Sequence, residues 1–376
     1  MKKKVLIIGS GFFGSVLAER LASQNNFKVE ILEKRNHFGG NSYSEIDKKT
    51  NIEYHKYGTH IFHTSNKEVM NYMNKFMTLN NYKHQVFSSY KNKIYTMPFN
   101  LFTINQVYNK NLSPSEAKDF IGKQINKIPK DQIFSIEDKA ITSVGPKIYK
   151  LLIKGYTMKQ WGKHPKYLPQ HIINRIPLRF NFDNNYFLNS QWQGIPQNGY
   201  ADVFKKMLKH KNINIKYNQE FSLKNLKKDV LTIYTGPLDK LFDYEYGKLE
   251  WRSLKFKKKH LNKKDFQGNS VINYPDFKVP YTRIHEPKHL HNDRKAFNDK
   301  KTLIIYEYSN GQSNDPYYPI NDKLNRAIHR KYKDLLIQYP NLFIGGRLAD
   351  YAYYDMDMTI SAALKLYHRL VRQFSL

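Results

Sequence analysis

Residues 5–22 read VLIIGSGFFGSVLAERLA. Val5 to Ile8 is an unbroken apolar run, the pattern of a parallel strand covered on both faces. Glycines follow at Gly9, Gly11 and Gly14 in G-x-G-x-x-G spacing, and Val16, Leu17, Leu21 and Ala22 then recur at helical intervals. Residues 28–32, KVEIL, predict a second strand that ends in Glu33. Strand, glycine turn, helix, strand and acidic residue together form the context in which this spacing reads as a dinucleotide-binding fingerprint. Gly9 permits the tight turn, Gly11 lets a pyrophosphate approach the helix N-terminus, and Gly14 allows close helix–strand packing. Glu33 is expected to accept hydrogen bonds from an adenosine ribose. An ordinary buried βαβ unit with glycines at its turn is the alternative.

The next stretch, LEKRNHFGGNSYS, selects the dinucleotide. Glu33 is followed by Arg35 and then by Gly39, Gly40 and Asn41. This E-x(5)-G-G arrangement resembles the second signature of FAD proteins of the glutathione-reductase type. Near the other end, NLFIGGRLADYAYYDMDMTISAALKLYHRLV supplies a strand, Gly345-Gly346-Arg347 and an amphipathic final helix. A helix start placed against a flavin presents its positive dipole end to charge on the reduced ring. FAD is the expected cofactor.

The chain has 376 residues, which calls for two or three domains rather than one core. It contains no cysteine, which excludes disulfides, iron–sulfur clusters and thiol redox relays and suits a cytoplasmic location. The opening MKKKVLII imitates a secretion signal, but its apolar run is short and belongs to the fingerprint. No stretch approaches the roughly 20 apolar residues of a membrane span. The formal net charge is +30, yet the lysines are dispersed and short runs such as 255–259 read as solvated surface, so nucleic acid is not an expected partner.

The cofactor pieces lie at both ends of the chain, and DVLTIYTGPLDKLF adds a third strand and glycine turn in the middle. The expected fold class is mixed α/β: a discontinuous, Rossmann-like FAD domain over 1–97, 195–243 and 320–376. A helical insert is expected over 98–165, where Ser113, Pro114 and Glu116 read as a capped helix start. Residues 166–194 and 244–319 are expected to form an antiparallel substrate sheet, because apolar and polar residues alternate at 175–192 and 244–308.

The segments HKYGTHIFHT, IKGYTMKQWGK, NRIPLRFNFDNNYF, QGIPQNGY, VPYTRI, PYYP and IGGRLADYAYYDMD, in that order, resemble the bacterial UDP-galactopyranose mutase family from the first strand to the last helix. The resemblance implies an isomerase that interconverts UDP-galactopyranose and UDP-galactofuranose with no net redox change, assembled as a homodimer. It implies active, reduced FAD whose N5 forms a covalent adduct with the sugar, and an external reductant such as NAD(P)H. Around the cofactor it places Phe13, Lys34, Gly40, Asn41, His60, Ile61, Gly346, Arg347, Tyr354, Asp355 and Met356, beside the fingerprint glycines.

A UDP-sugar presents a uracil, a diphosphate and a hydroxylated ring. Tyr156 and Trp161 can supply aromatic contact to the base, although aromatics on a packed helix also serve a core. The planar forks of Arg175 and Arg283 suit a diphosphate. The resemblance carries both over as phosphate ligands, Arg175 on a closing loop, and adds Thr157 and Asn273 to the substrate site. Tyr186, Tyr317 and Tyr353 match tyrosines around the phosphates and sugar, while Glu307 and Asp355 match acidic positions that could equally be structural salt bridges. His55, His60 and His63 lack a third-ligand pattern for zinc, so no metal is expected. The family places His60 and His63 beside the flavin. Where relatives carry an asparagine, this chain has His84, which bears on the choice of sugar. The alternatives are the same chemistry acting on UDP-N-acetylgalactosamine as well, or an FAD oxidoreductase of the amine-oxidase type.

Overall fold

The computed structural model describes residues 2–125, 127–173, 178–294, 300–311 and 315–373. Its first layer is a parallel five-stranded sheet in the order Leu342–Ile344, Leu231–Tyr234, Lys3–Ile8, Phe27–Glu33, Ile213–Tyr217. The central strand pairs Ile7 with Ile31 on one side and with Ile233 on the other. All three are fully buried, which is why the opening run is continuously apolar. The helix Phe12–Ser23 lies over this sheet and packs against the final helix, Met356–Gln373, through Val16, Leu17 and Leu21 on one side and Ile360, Ala363 and Leu364 on the other. The middle segment DVLTIYTGPLDKLF supplies Leu231–Tyr234, as its apolar run predicts.

The second layer is a seven-stranded sheet in the order Tyr318–Pro319, Trp251–Leu261, Thr302–Asn310, Arg283–His285, Val271–Asn273, Val86–Tyr90, Lys93–Met97. It departs from expectation in three ways. Residues 86–97, placed by the sequence reading with the cofactor domain, are two strands of this sheet. Val271–Asn273 and Val86–Tyr90 run parallel, so the sheet is not wholly antiparallel. Finally, residues 178–191 contain no strand. In that stretch Asn181, Asp183 and Asn185 each accept a hydrogen bond from the backbone amide two residues on. These Asx turns curl the chain and defeat the alternating pattern of RFNFDNNYF. The one strand nearby, Trp192–Gly194, pairs with Phe62–Thr64 outside the large sheet.

A helical insert packs against the seven-stranded sheet: Leu101–Tyr108, Pro114–Gln124, Ile136–Ser143 and a run from Gly145 to Trp161 interrupted by a π-helical turn at Tyr149–Ile153. Three of its helices start with capping boxes, at Asn100, Ser113 and Ser135. Each satisfies amides that a helix start otherwise leaves without partners. Ser113 and Glu116 form the pair read from the sequence. Among the described residues no helix is long and apolar enough to cross a membrane.

Candidate active site

The glycine loop lines a cavity of about 250 Å³ at the C-terminal edge of the parallel sheet. Gly9 has φ of +99°, and a Cβ there would stand 2.2 Å from Thr235 Oγ1. A Cβ on Gly14 would stand 2.0 Å from the Gly9 carbonyl oxygen. Both glycines are therefore required by the protein itself. Gly11 is different: its φ is an ordinary −69°, and a Cβ would meet nothing nearer than Gly40 Cα at 3.9 Å. Beyond Gly11 lies cavity, and the helix it opens has no side-chain cap on its first amides. Uncapped amides at a helix N-terminus, reached past a glycine, fit a pyrophosphate.

Glu33 borders this cavity with both carboxylate oxygens engaged. One accepts from the Ser10 amide at 2.9 Å and the Ser10 hydroxyl at 2.7 Å, the other from the Arg35 amide at 2.9 Å. Arg35 in turn donates to Asn41, and Lys34 reaches Asp315 at 2.8 Å. Gly40 closes over the loop so tightly that a Cβ on it would lie 3.0 Å from Gly11 Cα. From the far end of the chain, Gly345 and Gly346 fold over the Phe13 ring, where a Cβ on Gly345 would come within 2.1 Å. Tyr354 and Met356 complete that wall.

A second cavity, of about 260 Å³, adjoins the first, and His60, Arg347 and Met356 line both. Asp355 caps the final helix, accepting through its carbonyl from the Thr359 amide, so the positive end of that helix faces the junction. His60 Nδ1 lies 2.6 Å from the Gly58 carbonyl. A carbonyl only accepts, so Nδ1 carries the proton and Nε2 keeps its lone pair. Burial holds the His60 pKa down at about 4, with the Arg347 charge adding to the effect, so the ring is neutral at physiological pH.

The outer wall is organised around Arg283. Its guanidinium lies 5.7 Å from the Tyr156 ring centroid, its Nε donates to Asn273 at 3.2 Å, and Glu307 stands 3.6 Å away. Glu307 also takes hydrogen bonds from Thr282 and from His285 at 3.0 Å, whose other nitrogen meets Thr59 at 2.8 Å. Burial alone would raise the Glu307 pKa, but Arg283 and His285 outweigh it and hold it at about 2. This carboxylate is a fixed negative charge and no proton donor at neutral pH. Trp161, Tyr318, Tyr353 and Arg347 form a ladder across the floor, with Tyr318 and Tyr353 stacked at 5.5 Å.

His63 and His84 flank the Phe187 ring, at centroid distances of 3.7 and 5.8 Å. His63 Nδ1 pairs with Ser190 and His84 Nδ1 with Tyr82. Burial, then the Arg283 charge, pushes His84 down to about 3. His55 Nδ1 accepts from the His60 amide.

A family model described as UDP-galactopyranose mutase matches residues 151–353, and one described as an NAD(P)-binding Rossmann-like domain matches residues 7–76. The chain is 40% identical over 367 residues to a probable UDP-galactopyranose mutase of Klebsiella pneumoniae, covering 96% of this chain and 93% of that protein. The chain belongs to the UDP-galactopyranose mutase family. It is also 39% identical over 371 residues to a dTDP-fucopyranose mutase of Escherichia coli, covering 96% and 97% of the two chains. A crystal structure of reduced UDP-galactopyranose mutase shares the fold, with a TM-score of 0.77 at 12% identity over 99% of this chain and 94% of that one.

Membership in this family of isomerases implies a flavin cofactor. Among the residues expected at the substrate, His84, Tyr156, Thr157, Trp161, Tyr186, Asn273, Arg283, Glu307, Tyr317, Tyr353 and Asp355 all line the second cavity. Arg175 lies outside the described residues. Ile61 and Asp355, expected at the cofactor, border the second cavity and not the first, although their neighbours His60, Tyr354 and Met356 line the first. His285, Tyr318, Phe187 and Thr59 also line the second cavity without having been singled out. His285 was findable, since it lies two residues past Arg283 on a strand and so shares its face.

Proposed function

We propose that the first cavity holds FAD and that the second holds a nucleoside-diphosphate sugar, UDP-galactopyranose, which the chain interconverts with UDP-galactofuranose. The observation that carries this reading is the shared wall of His60, Arg347 and Met356, which brings the reactive end of a dinucleotide against the inner end of the second cavity. FAD, when reduced, supplies a nucleophilic nitrogen toward the anomeric carbon.

The chain supplies binding and placement. Tyr156, Thr157 and Trp161 hold the base, and Arg283, together with Arg175, neutralises the diphosphate while it is bound and after it leaves. Asn273 and Glu307 keep the Arg283 fork at one angle. His60 offers only Nε2, as an acceptor that orients a sugar hydroxyl. With its pKa at about 4 it holds that proton in position and is too weak a base to remove it at neutral pH. Tyr186, Tyr317 and Tyr353 enclose the sugar and phosphates and keep water out. The enzyme works as a cytoplasmic homodimer and takes its electrons from an external donor such as NAD(P)H.

The test is to reduce the flavin with dithionite and supply UDP-galactofuranose, UDP-galactopyranose, UDP-N-acetylgalactosamine and dTDP-fucopyranose in separate reactions. Interconversion of the two UDP-galactose forms, with no reductant consumed per turnover and almost no rate in oxidised enzyme, is expected. Equal rates from oxidised and reduced flavin would sink the reading. Faster turnover of dTDP-fucopyranose would move the substrate to that of the Escherichia coli relative.

A further inference from the structure

The helix Lys154–Trp161 touches the turn between strands Val271–Asn273 and Arg283–His285 at two points besides the substrate cavity. The Lys159 ammonium points into the turn and donates to the carbonyls of Asp276, Val279 and Tyr281 at 2.9, 3.0 and 2.8 Å, and also to that of Tyr274. An ammonium has three N–H groups, so four carbonyls share them around one point charge. One turn of helix earlier, Gly155 lets the same loop come close: a Cβ there would stand 2.2 Å from the Pro275 carbonyl oxygen. Asn273 and Arg283 are directly paired at the mouth of this turn. Tyr156, on the same helix, lies against the Arg283 guanidinium.

We propose that Lys159 is a positioning residue: it ties the 274–281 turn to the helix that bears Tyr156 and Trp161, and so sets where the Arg283 fork stands relative to the base-binding aromatics. The distance between a base and its diphosphate is fixed by the ligand. A helix and hairpin that could slide past one another would satisfy one end at the expense of the other, so a lock between them acts on affinity. Lys159 lines neither cavity, and its role is exerted through Arg283. The proposal rests on the reading of Arg283 as a diphosphate ligand.

The test compares Lys159→Met, Lys159→Arg and Gly155→Ala with Arg283→Lys, each as flavin-loaded enzyme titrated calorimetrically with UDP and assayed after reduction. Lys159→Met should weaken UDP about 10-fold and raise KM more than it lowers kcat, with flavin content unchanged. Lys159→Arg should fail to rescue, because a planar guanidinium spreads its donors and cannot converge on one point. Gly155→Ala, which moves the turn without touching Lys159, should shift UDP affinity in the same direction. In the double variant Lys159→Met/Arg283→Lys the two losses should combine to less than their product, the sign of a shared pathway. A fall in melting temperature with wild-type UDP affinity and KM in both Lys159→Met and Gly155→Ala overturns the proposal. If Arg283→Lys itself binds UDP as the wild type does, the diphosphate assignment falls first and the positioning role with it. In the wild type, UDP should slow amide exchange in 154–161 and 274–281 together, and protection of one segment alone also overturns the lock.

Discussion

The Glu307 carboxylate, 1% exposed, stands 3.6 Å from the Arg283 guanidinium in the wall of the second cavity. The two side chains define each other. Arg283 keeps the carboxylate ionised, and Glu307 keeps the fork from turning toward solvent.

Arg283 should therefore be tested by a substitution that keeps its charge. Arg283→Lys retains a cation for Glu307 but loses the planar fork, and kcat/KM of the reduced enzyme should fall 10-fold or more, since a hydrogen bond to a charged group contributes about 1.5–3 kcal/mol. Arg283→Ala should also lower stability, because it removes the arginine charge beside a buried carboxylate and leaves only His285 and Thr282 to hold it. Lys257→Ala on the exposed strand edge is the control and should alter only the salt dependence. Wild-type kcat/KM in both Arg283 variants would place the diphosphate elsewhere.

The same pair sets an acid limit on stability. The Glu307 pKa falls from 4.5 to about 2 on folding. A depressed carboxylate contributes stability above its unfolded value and loses it as pH drops through the folded one, so the loss runs from about pH 4.5 to about pH 2. At 1.36 kcal/mol per pKa unit this amounts to about 3 kcal/mol. Glu307→Gln should be less stable at pH 7 and should show a flatter decline in chemical-denaturation midpoint over that window. A decline as steep as that of the wild type would show that other groups control it.

The glycines of the opening loop should separate cofactor binding from folding. Gly11→Val projects into cavity and should yield folded, colourless protein that does not take up FAD. Gly14→Ala meets the Gly9 carbonyl oxygen at 2.0 Å and should lower the melting temperature whether or not flavin is present. Stoichiometric yellow flavin in Gly11→Val would show that the pyrophosphate lies elsewhere.

His84, in the wall of the second cavity, offers a test that distinguishes sugar from nucleotide. His84→Phe keeps a ring against Phe187 and removes the nitrogen facing the cavity. It should raise KM for the nucleotide sugar by roughly 3- to 10-fold, the loss of one neutral hydrogen bond, while leaving UDP affinity as it was. His84→Asn, the residue that the resemblance implies at this place, should restore KM toward that of wild type for UDP-galactose. Equal losses for UDP and for the nucleotide sugar would place His84 at the nucleotide.

The cofactor half was legible because its signals are local. Gly9, Gly11, Gly14 and the strand ending at Glu33 form one continuous supersecondary unit, and Gly345-Gly346 repeats the same logic before the last helix. The substrate half was legible by resemblance more than by pattern. Residues 178–191 alternate like a strand and are held instead by their own Asn and Asp side chains, a competition that hydrophobic periodicity does not register. The pairing of Val86–Tyr90 with Val271–Asn273 joins segments far apart in sequence, and nothing in either segment encodes the partner. Glu33 shows a subtler gap: its position is given by spacing, but Ser10 and the Arg35 amide already claim much of its acceptor capacity.

The chain passes back and forth between the two sheets, and this dictates an order of events at the ribosome. The strand Lys3–Ile8 emerges first, yet its second neighbour, Leu231–Tyr234, follows only after the first strands of the other sheet and the whole helical insert. Until then one edge of the earliest strand stays open to mispairing, and such long-range closure is slow. Gly346 and Arg347, which seal the cradle and join it to the second cavity, are synthesised almost last. The wall that closes the cradle is thus completed late, and a nascent chain stalled before residue 345 should display the complete glycine fingerprint with that wall missing.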